Sequence, residues 1–250
     1  MTLKLKSPPI VEVVCGFYFA PLPALDPIAV GKYWSRGKSD DYPKTELHPP
    51  VAERGGFTVT QGVGPVRSWL ISKSDEYVIQ IQPDRFYFNW RKRGGAYPEF
   101  GETGHGVLSL GMTEFDQFST FCHQDLGLQP TVTRLELAKV NHIVQGEHWN
   151  DFRELSELLP IVGPIMQVTK SGEPLIDLRI VESRRDQDLR CHLTNMLPGA
   201  SGVQLEIRTS ADAANSSLRE KFIAANKLAN ETFFGLVANE RLDRFGGIVG

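Results

Sequence analysis

The stretch YVIQIQPDRFYFNWR, residues 77–91, decides the fold class of this chain. Apolar side chains occupy alternate positions on both sides of the central Pro83-Asp84 pair, which is the spacing of strands that bury one face. Proline presets the backbone angle φ for a turn, so this pair connects two neighbouring strands. The stretch therefore predicts an antiparallel sheet with one apolar face and one polar face.

The segments on either side of this hairpin predict further elements within residues 1–130. Apolar residues at helical spacing predict a long helix that ends at Gly127, and an N-cap aspartate followed by proline predicts a shorter one. In chain order we predict a strand over Ile10 to Ala20, a short helix after Asp26-Pro27, strands over Val66 to Ser72, Tyr77 to Gln82 and Arg85 to Arg91, and a helix over Leu108 to Leu126.

Residues 131–250 predict the same order of elements. Asn150 is a predicted N-cap, and Ser217 to Glu220 form a capping box in front of an apolar stripe that ends near Gly246-Gly247. In chain order we predict a strand over Thr131 to Val144, a short helix, strands over Ile165 to Lys170, Leu175 to Glu182, Leu189 to Leu193 and Val203 to Thr209, and a long final helix.

These elements predict an α+β protein built from two pseudo-repeated units with the order β-α-β(3)-α. Residues 1–130 form the first half and residues 131–250 the second, and the curved antiparallel sheet carries its long helices on one face. This layout is like a repeat of the TATA-binding-protein fold or a small helix-grip domain. The alternative is a coincidental order of elements, because no residue-level repeat connects the halves. We expect one compact pseudo-symmetric body.

Composition excludes several classes of protein. The chain has 250 residues, 41% of them apolar, which suits a large buried core and excludes a disordered chain. Its 27 Lys and Arg against 30 Asp and Glu give a formal charge of -3, so no global basic field favours nucleic acid or an anionic membrane. The sequence contains no apolar run typical of a secretory signal or a membrane helix. We therefore expect a cytoplasmic protein without membrane contact.

No catalytic or cofactor signature occurs in the sequence, so we expect no cofactor and favour a protein that is not an enzyme. Cys15, Cys122 and Cys191 are too widely spaced for a disulfide framework, and we expect reduced thiols. The Cys122-His123 and Cys191-His192 pairs suggest zinc ligands. However, adjacent strand residues point to opposite faces and no C-x-x-C spacing occurs, so we predict no metal site.

The polar face of the predicted sheet contains the candidate binding residues. It is rich in Arg, Tyr, Asn, Gln and His, which make directional contacts, whereas a face that is only solvated favours Lys, Glu, Thr and Ser. The alternative is an exposed face with cross-strand pairs. We select as candidate binding residues Arg85, Tyr87, Asn89, Arg91, Arg134, Asn141, His192 and Arg208.

Three hypotheses of function follow. The first is a non-enzymatic binding protein whose polar face takes a protein partner or mediates self-association, which fits the near-neutral charge. The second is a nucleic-acid-binding module, because the segment Trp90-Arg91-Lys92-Arg93 combines the aromatic and basic residues that bind single strands. The third is a ligand pocket or an enzyme site between the two halves.

The sequence LKSPPIVEVVC, residues 5–15, matches the motif Leu-Lys-x-Pro-Pro-Ile-x-Glu-Val. With Asp26 to Trp34, residues 83–91 and the strand from Thr133 to Asn141, it resembles a sporadically distributed bacterial family of uncharacterised proteins of about this length. The resemblance implies a shared fold and a cytoplasmic protein of the accessory genome, and it brings no catalytic residues. The sporadic distribution suggests the partner-binding component of a toxin-antitoxin or defence pair.

Overall fold

A computed structural model describes residues 4–50, 66–101, 106–164, 175–184, 187–196, 201–214 and 217–249. These residues form an α+β protein, as predicted. The strands are β1 (Lys4–Leu5), β2 (Ile10–Phe19), β3 (Lys44–His48), β4 (Arg67–Ile71), β5 (Tyr77–Gln82), β6 (Arg85–Arg91), β7 (Val132–Val144), β8 (Asp177–Ser183), β9 (Asp188–Asn195), β10 (Gly202–Asp212) and β11 (Ile248–Val249). The helices are α1 (Pro27–Ser35), α2 (Val107–Leu126), α3 (Phe152–Leu158) and α4 (Leu218–Leu236), with 3-10 helices at Pro160–Val162 and Asn239–Phe245.

Nine of the strands form one antiparallel sheet in the order β3-β4-β5-β6-β2-β7-β10-β9-β8. β2 and β7 lie near its centre and pair with Cys15 opposite Leu137. Since β2 belongs to residues 1–130 and β7 to residues 131–250, both segments contribute to the same sheet. β1 and β11 form a separate two-stranded ribbon that joins the two ends of the described chain.

The stretch at residues 77–91 forms the predicted hairpin. β5 and β6 pair with Ile79 opposite Phe88 and Ile81 opposite Phe86. All four side chains are buried in the hydrophobic core, so the alternation in the sequence identifies the face that meets the helices.

Two predicted helix ends are confirmed. The Asp26 carboxylate accepts a hydrogen bond from the backbone N–H of Ala29 at 2.8 Å and caps α1. Gly127 follows α2 with φ of 64°, a left-handed conformation that glycine adopts without strain.

Two other predicted ends are wrong. The N-cap of α3 is Asp151 rather than Asn150, because the Asp151 carboxylate accepts from the backbone N–H of Glu154 at 2.9 Å. The final helix α4 begins after Ser217 but ends at Leu236, well before Gly246-Gly247. Val237 adopts extended backbone, with ψ of 134°, and a separate 3-10 helix follows.

Sequence periodicity does not predict β1, β3 or β11. Most side chains of β3 are exposed, so this edge strand lacks the apolar alternation on which strand prediction depends. The predicted strand at residues 165–170 lies outside the described residues.

The core lies between the sheet and the helices, with Phe17 of β2 at its centre. The Phe17 ring stacks on Phe115 of α2 with 4.3 Å between the ring centroids. It also meets Phe222 of α4 edge-on at 5.2 Å. One fully buried side chain therefore connects the central strand to both long helices.

A second cluster continues the core toward β9. Phe233 of α4 packs against Phe245 at 5.7 Å, together with Leu155 of α3 and Ile207 of β10. Because side chains from all four helices belong to these two clusters, the helices lie on one side of the sheet. The other side, which carries Tyr87 and Arg208 and has no helix over it in the described part of the chain, is the polar face.

Replacing Phe17 by alanine is expected to lower the free energy of unfolding by about 3–5 kcal/mol, because a buried ring is lost and a cavity remains. Urea unfolding at an unchanged m-value measures the effect. Ile28→Ala is the control: Ile28 is 71% exposed on α1, and its replacement is expected to change stability by less than about 0.5 kcal/mol. Equal effects of the two substitutions would contradict the central role of Phe17.

Candidate functional site

The polar face carries the candidate binding residues except Asn141. Their strand neighbours, such as Phe86, Phe88 and Leu135, belong to the hydrophobic core, so the candidates point away from the helices. These residues are Arg85, Tyr87, Asn89 and Arg91 on β6, Arg134 on β7, His192 on β9 and Arg208 on β10.

The candidates do not form one cluster. Tyr87, Asn89, Arg91 and Arg208 line a shared depression, whereas His192 lies farther out on β9, 2.8 Å from Asp177 of β8. The structure therefore places the candidate site around the two central strands, β2 and β7.

Asn141 is placed on the wrong face by the sequence prediction. It lies an odd number of residues after Arg134 on the same strand, so the two side chains point to opposite faces. Asn141 is 2% exposed on the helix side, where its amide donates to the Leu205 carbonyl at 3.0 Å.

A depression of about 340 Å³ lies at the centre of the polar face. Apolar side chains of the two central strands lie in its middle, and longer polar and aromatic side chains flank it. The middle consists of Val14, Ala138 and Val140; Arg67, Trp69 and Arg91 lie on one side, and Gln204, Glu206 and Arg208 on the other.

Positive and negative side chains are balanced around this depression. Its lining includes as many arginines as glutamates, so their formal charges cancel. They are Arg67, Arg91 and Arg208 against Glu12, Glu136 and Glu206.

Most of these charges are paired within the chain. Arg208 donates to the buried Glu136 carboxylate at 2.8 Å and also to Glu206. Burial alone would lower the pKa of Arg208, but the two carboxylates raise it above its ordinary value. On β2, Glu12 accepts from the Asn89 amide at 2.7 Å. The pairs hold the side chains in fixed orientations.

Trp69 contacts two guanidinium groups. The guanidinium carbon of Arg67 is 5.1 Å from the centre of the Trp69 ring system, and that of Arg91 is 4.7 Å away. Both distances fit cation–π contacts. This side of the depression is therefore a cluster of cationic and aromatic groups.

Two tyrosines form a second aromatic contact near the depression. The hydroxyl groups of Tyr18 and Tyr87 are 2.7 Å apart, so one donates a hydrogen bond to the other, and burial raises the pKa of both. A Cβ atom on Gly16 would lie 2.7 Å from Cε1 of Tyr87. Glycine at this position therefore lets the Tyr87 ring lie directly over the central strand.

A second candidate site is a cavity of about 460 Å³ on the helix side of the sheet, which we call the helix-side cavity. Residues 4–10 and 96–101 line it from the first segment, and β7, β10 and α4 line it from the second. Its aromatic lining is Tyr97, Phe100, Phe233 and Phe234, and its polar lining includes Lys139, Asn141, Asn226 and Asn230.

Two of the polar side chains in this cavity are deeply buried. Lys139 is 4% exposed, and its ammonium donates to Oδ1 of Asn230 at 2.7 Å. Asn226 is 3% exposed, and its Oδ1 accepts no hydrogen bond within the described residues.

Sequence reasoning missed Lys139, Asn226 and Asn230. A signal for Lys139 is present on β7, where Lys139 and Asn141 interrupt an otherwise apolar series on the core-facing side of the strand. Buried polar side chains need a partner or a ligand, so such an interruption marks a candidate site.

The three cysteines provide no reactive thiolate to either site. All three are free and buried. Burial raises the pKa of Cys15 and Cys122 to about 12 and that of Cys191 to about 11. Near neutral pH they are therefore thiols rather than nucleophilic thiolates. Among the described residues, no group of three or more His, Cys, Asp or Glu side chains is placed to hold a metal ion.

No family model matches this chain, and no curated protein does so either. None of the helices in the described residues is long and apolar enough to cross a membrane.

At about pH 8 the cysteines of the folded protein are expected not to react with a thiol-specific disulfide reagent, because the thiolate is the reactive form. In denaturant all three react, since the ordinary pKa is 9.0. The stability that the protonated thiols contribute is present below about pH 9 and is lost as the pH rises toward 12. Rapid modification of one cysteine in the folded protein would contradict this interpretation.

Proposed function

We propose that this chain is a non-enzymatic binding protein whose polar face binds a protein partner. The observation that carries the proposal is the central depression, in which paired charges and planar side chains surround an apolar middle. Arginine, tryptophan and tyrosine are the residues that most often dominate protein interfaces, and charges that are fixed in pairs favour directional contacts.

The balance of charges favours a protein over nucleic acid. A surface that binds a phosphate backbone needs an excess of positive charge, whereas the glutamates of this depression cancel its arginines. Trp90 is 2% exposed and points into the core, so it cannot stack on a base. Arg91 also has a carboxylate partner, Glu12, at 3.4 Å. These contacts weaken the case for the segment at residues 90–93 as a single-strand site.

The chemistry of the depression indicates the kind of segment it accepts. The Arg67, Trp69 and Arg91 cluster offers cationic and aromatic surface to an acidic or aromatic side chain. On the other side, the partly exposed Glu206 offers an acceptor to a basic one. A protein segment with both acidic and basic side chains fits this arrangement. A second copy of the chain is one such partner.

The two segments, residues 1–130 and 131–250, are proposed to be pseudo-repeats arranged as in the TATA-binding-protein fold. In support, the central strands β2 and β7 come one from each segment. In each segment the following strands run in chain order from the edge of the sheet back to the centre, and the long helix comes after them. Three further parts of this proposal rest on the sequence alone. They are membership in the family that residues 5–15 resemble, a cytoplasmic location, and a role in a toxin-antitoxin or defence pair.

Affinity purification from the native host tests the proposal. We expect a stoichiometric protein to co-purify with the wild type and to be lost with Arg91→Glu, because the reversal breaks both the Glu12 pair and the Trp69 contact. Arg153→Glu is the matched control, since Arg153 is 87% exposed on α3, on the other side of the sheet. With the purified partner, Arg91→Glu should weaken binding by roughly tenfold or more. Retention of the partner by Arg91→Glu would contradict the proposal.

Labelled single-stranded oligonucleotides test the alternative. Dissociation constants weaker than about 100 µM at physiological salt are expected, weaker than the roughly 1–100 µM of proteins that bind nucleic acid non-specifically. Tighter, strongly salt-dependent binding that Arg91→Glu abolishes would instead establish the polar face as a nucleic-acid interface.

A further inference from the structure

We propose that the chain forms a dimer in which strand β8 pairs antiparallel with β8 of a second copy, so that the two sheets join into one. β8 (Asp177–Ser183) is an edge strand, because β9 is its only neighbour among the described strands. No residue of β8 lines the central depression, so this interface is separate from the proposed binding site on the polar face.

The backbone of β8 directs hydrogen-bonding groups toward the free edge of the sheet. The N–H of Asn195 donates to the Ile176 carbonyl at 3.2 Å, and the N–H of Arg184 donates to the Gln187 carbonyl at 3.0 Å. In an antiparallel ladder alternate residues bond to the same neighbour, so the even-numbered residues of β8 bond to β9. The odd-numbered residues direct their N–H and C=O groups away from β9, and they are Asp177, Arg179, Val181 and Ser183.

This edge is exposed and regular. Most side chains of β8 are exposed, and Val181 is 66% exposed. No proline interrupts the strand, and its seven residues pair with β9 without a shift of register. Such an edge is a template on which another strand can pair.

The β8 sequence suits pairing with itself. The register that pairs all seven residues is centred on Ile180, and it makes the odd-numbered residues the hydrogen-bonded pairs. Val181 then lies opposite Arg179 of the second copy, Leu178 lies opposite Glu182, and Asp177 lies opposite Ser183. Because no two like charges are directly opposite, side chains do not oppose this register.

The same register joins the apolar sides of the two sheets. Leu178 and Ile180 are partly buried and pack against the second core cluster. Ile180 lies opposite Ile180 of the second copy in a non-hydrogen-bonded pair, in which side chains come closest. Dimer formation therefore buries apolar surface that each monomer exposes.

The other edge strand of the sheet, β3, is less suited to self-pairing. It has five residues and lies between Pro43 and Pro49, and proline cannot donate to a ladder. Pairing all five residues with a second copy would place Glu46 opposite Glu46, which is unfavourable. Self-complementarity therefore favours β8 as the interface.

Pairing of one strand with itself is a two-fold arrangement, so assembly stops at the dimer. The two-fold axis passes between the two Ile180 residues, perpendicular to the sheet. The polar faces of both copies then lie on the same side, and the dimer presents two central depressions to a partner. A partner with two matching segments would bind such a dimer more tightly than it binds the monomer.

Sedimentation equilibrium of the full chain tests the proposal. A seven-residue edge makes a small interface, and small interfaces are typical of weak association. We expect a reversible dimer with a dissociation constant of about 100 µM or tighter. A monomer, or a dimer weaker than this, would overturn the proposal. The wild type is sufficient for this measurement, so the result does not depend on the folding of any variant.

Two charged substitutions at one position test the register. Val181→Arg places a like charge opposite Arg179 of the second copy, and this pair occurs twice in the dimer. We expect it to weaken dimerisation by roughly tenfold or more, whereas Val181→Glu places an opposite charge there and should keep the dimer. Equal weakening by both substitutions would overturn the register centred on Ile180.

Val181→Pro tests the contribution of the backbone. The Val181 N–H is directed toward the free edge, so its removal breaks no hydrogen bond to β9. We expect Val181→Pro to be monomeric, and a dimer in this variant would overturn the proposal.

Leu47→Arg is the matched control. Leu47 is also 66% exposed, and it lies on the other edge strand, β3. It should keep the wild-type dissociation constant, and urea unfolding midpoints establish that each variant is folded. A dimer that Val181→Arg leaves intact, or that Leu47→Arg weakens as much, would show that β8 is not the interface.

Discussion

Strands β2 and β7 pair at the centre of the sheet, and both candidate sites depend on this pairing. It places Phe17 against α2 and α4 on one side and brings Tyr18 next to Arg134 on the other. Because successive strand residues point to opposite faces, a one-residue slip of β2 would exchange its core residues with those of the polar face. The apolar series on β2 and β7 make such a slip unfavourable, since it would expose side chains such as Phe17 and Leu137.

The same alternation creates two kinds of binding surface from one strand. Ala138 lies in the depression on the polar face, and Lys139, the next residue, lines the cavity on the helix side. An apolar side chain in place of Lys139 would suit the core better, because burial of an ammonium group is costly. Natural proteins break such local rules most often at functional sites. Donation from the Lys139 ammonium to Oδ1 of Asn230 at 2.7 Å offsets part of the cost of burial.

Local features of the structure could be predicted from the sequence, whereas long-range pairing could not. The hairpin at residues 77–91 follows from alternation and a turn pair, both of which are local. The contact between Arg208 and Glu136 joins residues 72 positions apart and depends on the register of β10 on β7. The edge strand β3 has no apolar alternation, so periodicity alone does not reveal it. Asn226 lies within an apolar helix stripe, and only the neighbouring cavity distinguishes it from a core residue.

Recognition at the proposed site on the polar face would depend on shape more than on net charge. On the polar face, Arg91 and Arg208 already have carboxylate partners, so long-range attraction contributes little to partner binding. Affinity there depends on burial of planar groups that neighbouring side chains already hold in place, such as Trp69, which contacts Arg67 and Arg91.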